Sequence, residues 1–363
     1  MARKNSIIII VCCLMLAIFG VFMVFSASHI TALNTYNDAF FFGKKQLLGV
    51  IIGVIGMFVM TKVDHKFFKK FYILAYVIGL ILLAVVFIPG LSKSSYGATR
   101  WIGIGSFNMQ PSEIAKFCLI LFLSGFLCEN EKLSKFKNIL LALGAGGFYC
   151  LLIILEPNMS ITICVGLSLL FMLFIGGLKL KWFAGLSIPL VVLAVLLIII
   201  EPYRWDRIVA FINPWQNPLS EGYQLIQSLY AIGSGGLFGV GFLNSRQAHL
   251  FLPFSESDFI FSIIAEEFGY IGCTLVMLVF TILIVTIFKV GIKAKNKFSA
   301  FLCFGIGAIL CIQVILNIAV VSGSIPPTGL PLPFISAGST SLLVFMSAMG
   351  IVVNVDKDNS KQF

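Results

Sequence analysis

The chain has 363 residues, 59% of them hydrophobic and only 11% charged, with a mean hydropathy of +1.05. A soluble domain carries about 25% charged residues, so this chain has too few charges to cover a water-facing surface and takes lipid as its main solvent. The net charge of +10 does not imply a nucleic-acid partner. The Lys and Arg residues sit in short loops between apolar runs, where they set membrane orientation, and no basic stripe with interleaved aromatics stands free in a polar segment.

The N-terminus reads Met1-Ala2-Arg3-Lys4, followed by an apolar run from Ile7 to Ser26. That run exceeds the h-region of a cleaved signal peptide and predicts a first spanning helix that stays attached. Further spans are expected near 46–62, 71–90, 112–128, 138–155, 160–177, 181–200, 265–287, 299–322 and 332–354, after the first at 7–28, since about 20 apolar residues cross the hydrocarbon. With the N-terminus in the cytoplasm, most of the Lys and Arg fall on the cytoplasmic side. Only Lys44, Lys45, Lys93, Arg100, Arg204, Arg207 and Arg246 fall opposite, and Lys116 lies within its span. The asymmetry predicts both termini inside. The expected fold is therefore all-α and integral to the membrane, a single polytopic domain over 1–363 of about ten transmembrane helices. A large extracytoplasmic segment, 201–258, separates spans seven and eight. Long irregular outer loops are where function concentrates.

The nine cysteines form no CxxC pair and no Cys/His cluster, so neither a disulfide framework nor a zinc site is expected. Chemistry is sought instead among ionisable residues at or inside spans, which are costly there and usually functional. Glu113 and Lys116 share a helix face at i and i+3; the plainer alternative is an ion pair joining two helices. Asp258 stands just before Phe259-Ile260-Phe261, with Glu266 and Glu267 following. On a continuous helix Asp258 and Glu266 would share a face roughly 12 Å apart. The plainer role for Asp258 is a helix N-cap. Arg204, Arg207 and Arg246 carry guanidinium forks suited to phosphate, unless they only anchor to headgroups. Gly233-Ser234-Gly235-Gly236 and Gly239-Val240-Gly241 lack the strand-to-helix context of a dinucleotide loop and are read as turns allowing close backbone approach. Pro326-Pro327-Thr328-Gly329-Leu330-Pro331-Leu332-Pro333 is expected to be a non-helical lead into the last span, with Ser336 placing a hydroxyl inside it.

Seven stretches in order resemble the SEDS family (shape, elongation, division and sporulation), the peptidoglycan polymerases that include FtsW, RodA and SpoVE. They are Ala98-Thr99-Arg100-Trp101-Ile102, Gln110-Pro111-Ser112-Glu113-Ile114-Ala115-Lys116, Arg204-Trp205-Asp206-Arg207-Ile208 and Gly222-Tyr223-Gln224. Asn244-Ser245-Arg246-Gln247, Asp258-Phe259-Ile260-Phe261 with Glu266-Glu267, and Pro327-Thr328-Gly329 with Leu332-Pro333-Phe334-Ile335-Ser336 complete the set. The Asn-Ser-Arg-Gln element is more similar to the FtsW and SpoVE branch. Four stretches depart from the family pattern. The His or similar residue usual just before the aspartate is Ser257, and the last motif's Tyr-Gly-Gly reads Ala337-Gly338-Ser339. The usual Pro-Asp-Leu-Gly-Thr reads Pro157-Asn158-Met159-Ser160-Ile161, and a Lys usual after Ser-Arg-Gln is Ala248.

The resemblance implies polymerisation of lipid II on the outer face of the bacterial cytoplasmic membrane, for division or sporulation. It also implies a class B penicillin-binding protein and other divisome or elongasome membrane proteins as partners. Asp258 maps to the family's essential aspartate, and Glu113 and Lys116 map to its central cavity. On that basis Asp258 is the base. Arg100, Arg204, Arg207, Arg246 or Lys116 neutralise the leaving diphosphate, and Glu266 and Ser336 line the cavity. A divalent cation, Mg or Mn, is an optional aid, although the sequence shows no metal-ligand cluster. The competing readings are a flippase of lipid II or another polyprenyl-linked precursor, whose buried charges and broken helices would look alike, and a non-enzymatic scaffold for a penicillin-binding protein.

Overall fold

The computed structural model describes residues 2–88, 92–95, 98–104, 107–129, 135–183, 185 and 202–360. It is overwhelmingly helical. The helices are α1 (Ala2–Tyr36), α2 (Phe41–Met60), α3 (His65–Lys70), α4 (Tyr72–Val85), α5 (Pro111–Glu129), α6 (Phe136–Leu155) and α7 (Met159–Ile175). They continue as α8 (Pro202–Ile212), α9 (Tyr223–Gly235), α10 (Ile260–Ile292), α11 (Lys297–Val321) and α12 (Ser339–Ser360). Seven of the described helices are long and apolar enough to cross a membrane, namely α1, α2, α5, α6, α10, α11 and α12. The apolar α4 and α7 are shorter. The chain is a multi-pass membrane protein.

The apolar stripes explain the packing. In α1, Ile7, Val11, Met15, Ile18 and Phe22 are exposed at helical spacing while Ile9, Cys13, Leu16 and Ala17 are buried. One face thus meets lipid and the other meets protein. The buried face packs on α2, α10 and α12; α2 runs along α12, α4 along α5, and α11 against α5, α7 and α10. At the lysine-rich ends, Asp356 of α12 accepts from the Ser6 hydroxyl (2.6 Å) and backbone N–H (3.0 Å), tying the last span to the first.

Several expected boundaries move. The expected seventh span, 181–200, lies almost wholly outside the described residues. The last span begins at Ser339, not 332, because four prolines between 326 and 333 withhold the N–H groups a helix needs. The outer stretch 91–111 is not irregular throughout: β1 (Ser92–Ser95), β2 (Ala98–Ile104) and β3 (Phe107–Met109) form a three-stranded antiparallel sheet. The segment 201–258 is likewise not one long loop, since it contains α8 and the buried, packed α9.

Helix α10 starts at Ile260 and is broken at Gly269 (φ 64°, ψ −164°), a conformation open in practice only to glycine. The glycine-rich stretch after α9 lies across the break. Val240 and Gly241 N–H donate to the carbonyls of Glu266 (2.9 Å) and Glu267 (3.0 Å), and Tyr270 and Ile271 N–H donate to the carbonyls of Gly236 (2.9 Å) and Leu237 (3.2 Å). The expected close backbone approach is therefore real. A Cβ on Gly269 would sit 2.5 Å from the Gly239 nitrogen and 2.6 Å from the Leu237 carbonyl oxygen. Gly269→Ala is expected to destabilise the protein by about 1–3 kcal/mol from backbone strain alone, with the clash adding to it. Thermal unfolding in detergent checks this against Gly233→Ala, where a Cβ meets nothing within 4 Å.

Candidate active site

Residues 251–259 form a run of turns leading into α10. Asp258 therefore precedes the helix rather than riding on it, and the shared face with Glu266 does not exist. Nor is Asp258 the N-cap: that position is Phe259, with no side-chain cap. The Asp258 carboxylate, partly buried, accepts from the Ser257 hydroxyl at 2.9 Å.

Its backbone is clamped from two directions. The carbonyl of Glu256 accepts from Ala337 N–H (2.8 Å). The carbonyl of Ser257 accepts from the Ser336 hydroxyl (2.6 Å). The carbonyl of Asp258 accepts from the Asn317 side-chain amide of α11 (2.9 Å). The same Asn317 amide also donates to Leu330 O (2.6 Å). Three consecutive carbonyls are thus held by the turn just before α12 and by α11, which fixes the backbone that carries the carboxylate. Gly329 (φ 78°) lies against it, where a Cβ would come within 3.0 Å of Asp258 Oδ2.

Cations gather here. Arg207 of α8 donates to Pro327 O (2.7 Å). Arg100 of β2 donates from Nε to Glu156 O (3.3 Å) and from Nη2 to Pro157 O. Burial pushes the Asp258 carboxyl above its ordinary range; the Ser257 hydrogen bond, Arg207 and Arg100 oppose that push. The structure therefore brings together Asp258, Arg207 and Arg100, from elements far apart in sequence.

The other expected residues are placed differently. Glu113 and Lys116 are each 1% exposed. Lys116 Nζ donates to Glu113 Oε2 (2.9 Å) and Gln313 Oε1 (2.6 Å) and lies 4.7 Å over the Phe345 ring. The pair reaches the proline-rich stretch through Gln313, which donates to Pro331 O (2.9 Å). Lys116 is thus spoken for and closed off, and is not poised to meet a diphosphate in this conformation. Glu266 is buried. Its carboxylate accepts from the Ser245 hydroxyl and from the N–H groups of Arg246 (2.9 Å) and Gln247, so it anchors the 245–247 turn. The Ser336 hydroxyl lies before α12, not within it. It accepts from Leu332 N–H (2.7 Å) while donating to Ser257, so it braces the Asp258 loop. Arg246 is exposed. Arg204 is on α8, and its side chain lies outside the described residues.

Three polar residues at this site were not singled out from sequence. Gln313 and Asn317 are four residues apart on one face of α11, a signal that an apolar helix does display. Glu156 is fully buried beside Arg100, and neither carboxylate oxygen accepts a hydrogen bond among the described residues. Burial pushes its pKa to about 8, with Arg100 pulling the other way. The departure at Asn158 has a local use: its side chain accepts from Ile161 N–H (3.3 Å) and caps α7.

Among the described residues no group of three or more His, Cys, Asp or Glu side chains is disposed to hold a metal. The Asp258 carboxylate alone would suit a magnesium-like ion only with substrate phosphates supplying the other ligands.

Comparison with known proteins fits this arrangement. The family model described as "Cell cycle protein", covering FtsW, RodA and SpoVE, matches residues 6–361. Stage V sporulation protein E of Bacillus subtilis is 40% identical over 360 residues, covering 98% of each chain. "Probable peptidoglycan glycosyltransferase FtsW" of Francisella salina is 38% identical, covering 95% of this chain and 87% of that protein. Among solved structures, a chain from a study of polymerization and crosslinking by a peptidoglycan synthase complex superposes with a TM-score of 0.77. It is 25% identical, with 96% and 98% of the two chains covered. Rod shape determining protein RodA of Thermus thermophilus gives 0.72 at 22% identity over 97% of both chains, which shows the shared fold. The chain belongs to the FtsW/RodA/SpoVE family of cell cycle proteins, the SEDS family, in its FtsW/SpoVE branch.

Proposed function

We propose that this protein is a peptidoglycan glycosyltransferase that polymerises lipid II into glycan strands on the outer face of the bacterial cytoplasmic membrane, in division or sporulation. The observation that carries the reading is a carboxylate, Asp258, left free of capping duty on a clamped loop beside Arg207 and Arg100. The relatives' names, sporulation protein and peptidoglycan glycosyltransferase, support the same reading. In this reading the chain crosses the bilayer ten times, with both lysine-rich ends inside and Asp258 outside.

Glycosyl transfer needs a base for the acceptor hydroxyl and a cation for the departing oxygens. Asp258 takes the proton from the 4-hydroxyl of the acceptor's N-acetylglucosamine as that oxygen attacks the anomeric carbon of the donor. The bond to the lipid diphosphate breaks with inversion, so an α-linked donor gives a β-linked strand. Arg207 and Arg100 meet the leaving diphosphate, with Arg204 and Arg246 available from the same outer segment. A divalent cation, Mg or Mn, would supply further charge neutralisation when held by the diphosphate itself. The lipid tails remain in the bilayer throughout, which is why the catalyst is itself mostly membrane. A class B penicillin-binding protein is the proposed partner, since the similar solved chain comes from a complex coupling polymerization to crosslinking.

The test is purified full-length protein with lipid II in detergent, with and without such a partner. Glycan strands are the expected product. A flippase makes none, and a scaffold makes none alone; absence of glycan in both arms overturns the reading.

A further inference from the structure

Helices α4, α5 and α6 leave a groove between them on a flank that shares no residue with the Asp258 site. Its volume is about 520 Å³, and its walls include Tyr72, Tyr76, Phe122, Phe126 and Leu140. That volume lies in the range of small-molecule pockets. Two hydrogen bonds close one end, from the Tyr76 hydroxyl to Ala145 O (3.2 Å) and from the Tyr149 hydroxyl to Tyr76 O (2.7 Å). Gly144 supplies bare backbone to the wall, and a Cβ there would meet nothing within 4 Å. The slot is apolar, aromatic and open on the lipid side.

The other end is electropositive. Tyr72 opens α4 two residues after Lys70, which follows Lys69, and Leu140 lies one turn inside α6, whose start is flanked by Lys135 and Lys137. All four lysines are exposed, and none has an ion-pair partner among the described residues. The N-termini of α4 and α6 also lie at this end, and neither carries a side-chain cap. Their amide groups and dipoles add to the attraction for an anion. Among the described residues Glu129 is the opposing carboxylate, and it accepts from the Tyr72 hydroxyl at 2.6 Å.

We propose that this groove is a binding site for one anionic phospholipid of the lysine-side leaflet. An acyl chain lies in the slot and the phosphate sits under Lys69, Lys70, Lys135 and Lys137. An apolar slot alone would accept any lipid tail. The excess of ammonium groups over carboxylate, with two uncapped helix starts, selects for negative charge in the headgroup. The site is independent of the polymerase reading and stands or falls without it.

The experiment is native mass spectrometry of delipidated, detergent-purified full-length protein. It is titrated with phosphatidylglycerol and, separately, with phosphatidylcholine of the same acyl chains. Wild-type protein is expected to take up one phosphatidylglycerol at least about tenfold more tightly than phosphatidylcholine. Gly144→Leu adds a side chain at the groove wall, where a Cβ meets nothing within 4 Å, and is expected to weaken that first binding event by about tenfold or more. The quadruple variant K69Q/K70Q/K135Q/K137Q leaves the slot intact and is expected to bind the two lipids equally. Equal binding of both lipids by the wild type overturns the proposal. So does wild-type phosphatidylglycerol binding by a folded Gly144→Leu protein, or a retained preference in the quadruple variant.

Discussion

Asp258→Asn is expected to lower lipid II polymerisation by about 10²- to 10⁴-fold, the usual contribution of a positioned general base. Asparagine keeps the shape of the side chain and can still meet the Ser257 hydroxyl. The backbone clamps from Ala337, Ser336 and Asn317 do not involve the side chain at all. The variant should therefore fold and unfold like the parent while losing the proton acceptor. Near-normal polymerisation by a well-folded Asn variant would remove Asp258 as the base. The pH dependence gives a second readout of the same group. A base works deprotonated, so the rate rises with pH through its acid limb. Burial places that limb above the ordinary carboxylate range. Arg207 favours the ionised carboxylate, so Arg207→Gln should move the limb to still higher pH.

Lys116→Met is expected to destabilise the protein by about 3–5 kcal/mol, because removing one partner strands a buried charge. Glu113 is 1% exposed, and its Oε1 has no hydrogen-bond partner among the described residues. Lys116 is thus its main source of compensation, and Gln313 Oε1 would lose its donor at the same time. Glu113→Gln combined with Lys116→Met removes the charge altogether and should recover much of the loss. Thermal unfolding of the single and double variants in one detergent measures both effects. If the single and double variants melt together, the pair is not the unit described.

The sequence made the spans legible because lipid imposes a single strong rule, a run of apolar residues long enough to cross. That rule located α5, α6, α7 and α11 to within two residues at each end, whereas α2 and α10 start five residues early and α1 runs on to Tyr36, past its expected end at 28. It failed where other physics takes over. The three strands between Ser92 and Met109 are short and lie in a polar stretch, so no hydrophobic period announces them. Even so, the sequence there carries Gly97 and Gly105-Ser106, residue types that favour tight turns. Asp258 was legible as a chemical group, but its position off the helix was not. Phe259-Ile260-Phe261 reads as helix either way, and the turns before it are held by distant partners. The partners of Glu266 were hidden for a related reason. A carboxylate inside a span signals function, but here it satisfies the backbone of a turn that only the folded chain brings near. Gln313 and Asn317 were legible in principle, as two amides on one face of an apolar helix. What they bind, the carbonyls of Pro331, Leu330 and Asp258, follows only from the path of the proline-rich stretch.

A helix interrupted by a glycine is ordinarily a joint. In α10 the interruption at Gly269 is splinted: residues 236–241 give amide donors to the carbonyls above it and accept from the amides below it. The two rods of α10 are thereby locked at one angle, and that angle is encoded by a short peptide more than twenty residues upstream of Gly269. The pivot has become a bracket, so the turns carrying Asp258 rest on a fixed mount rather than a swinging arm.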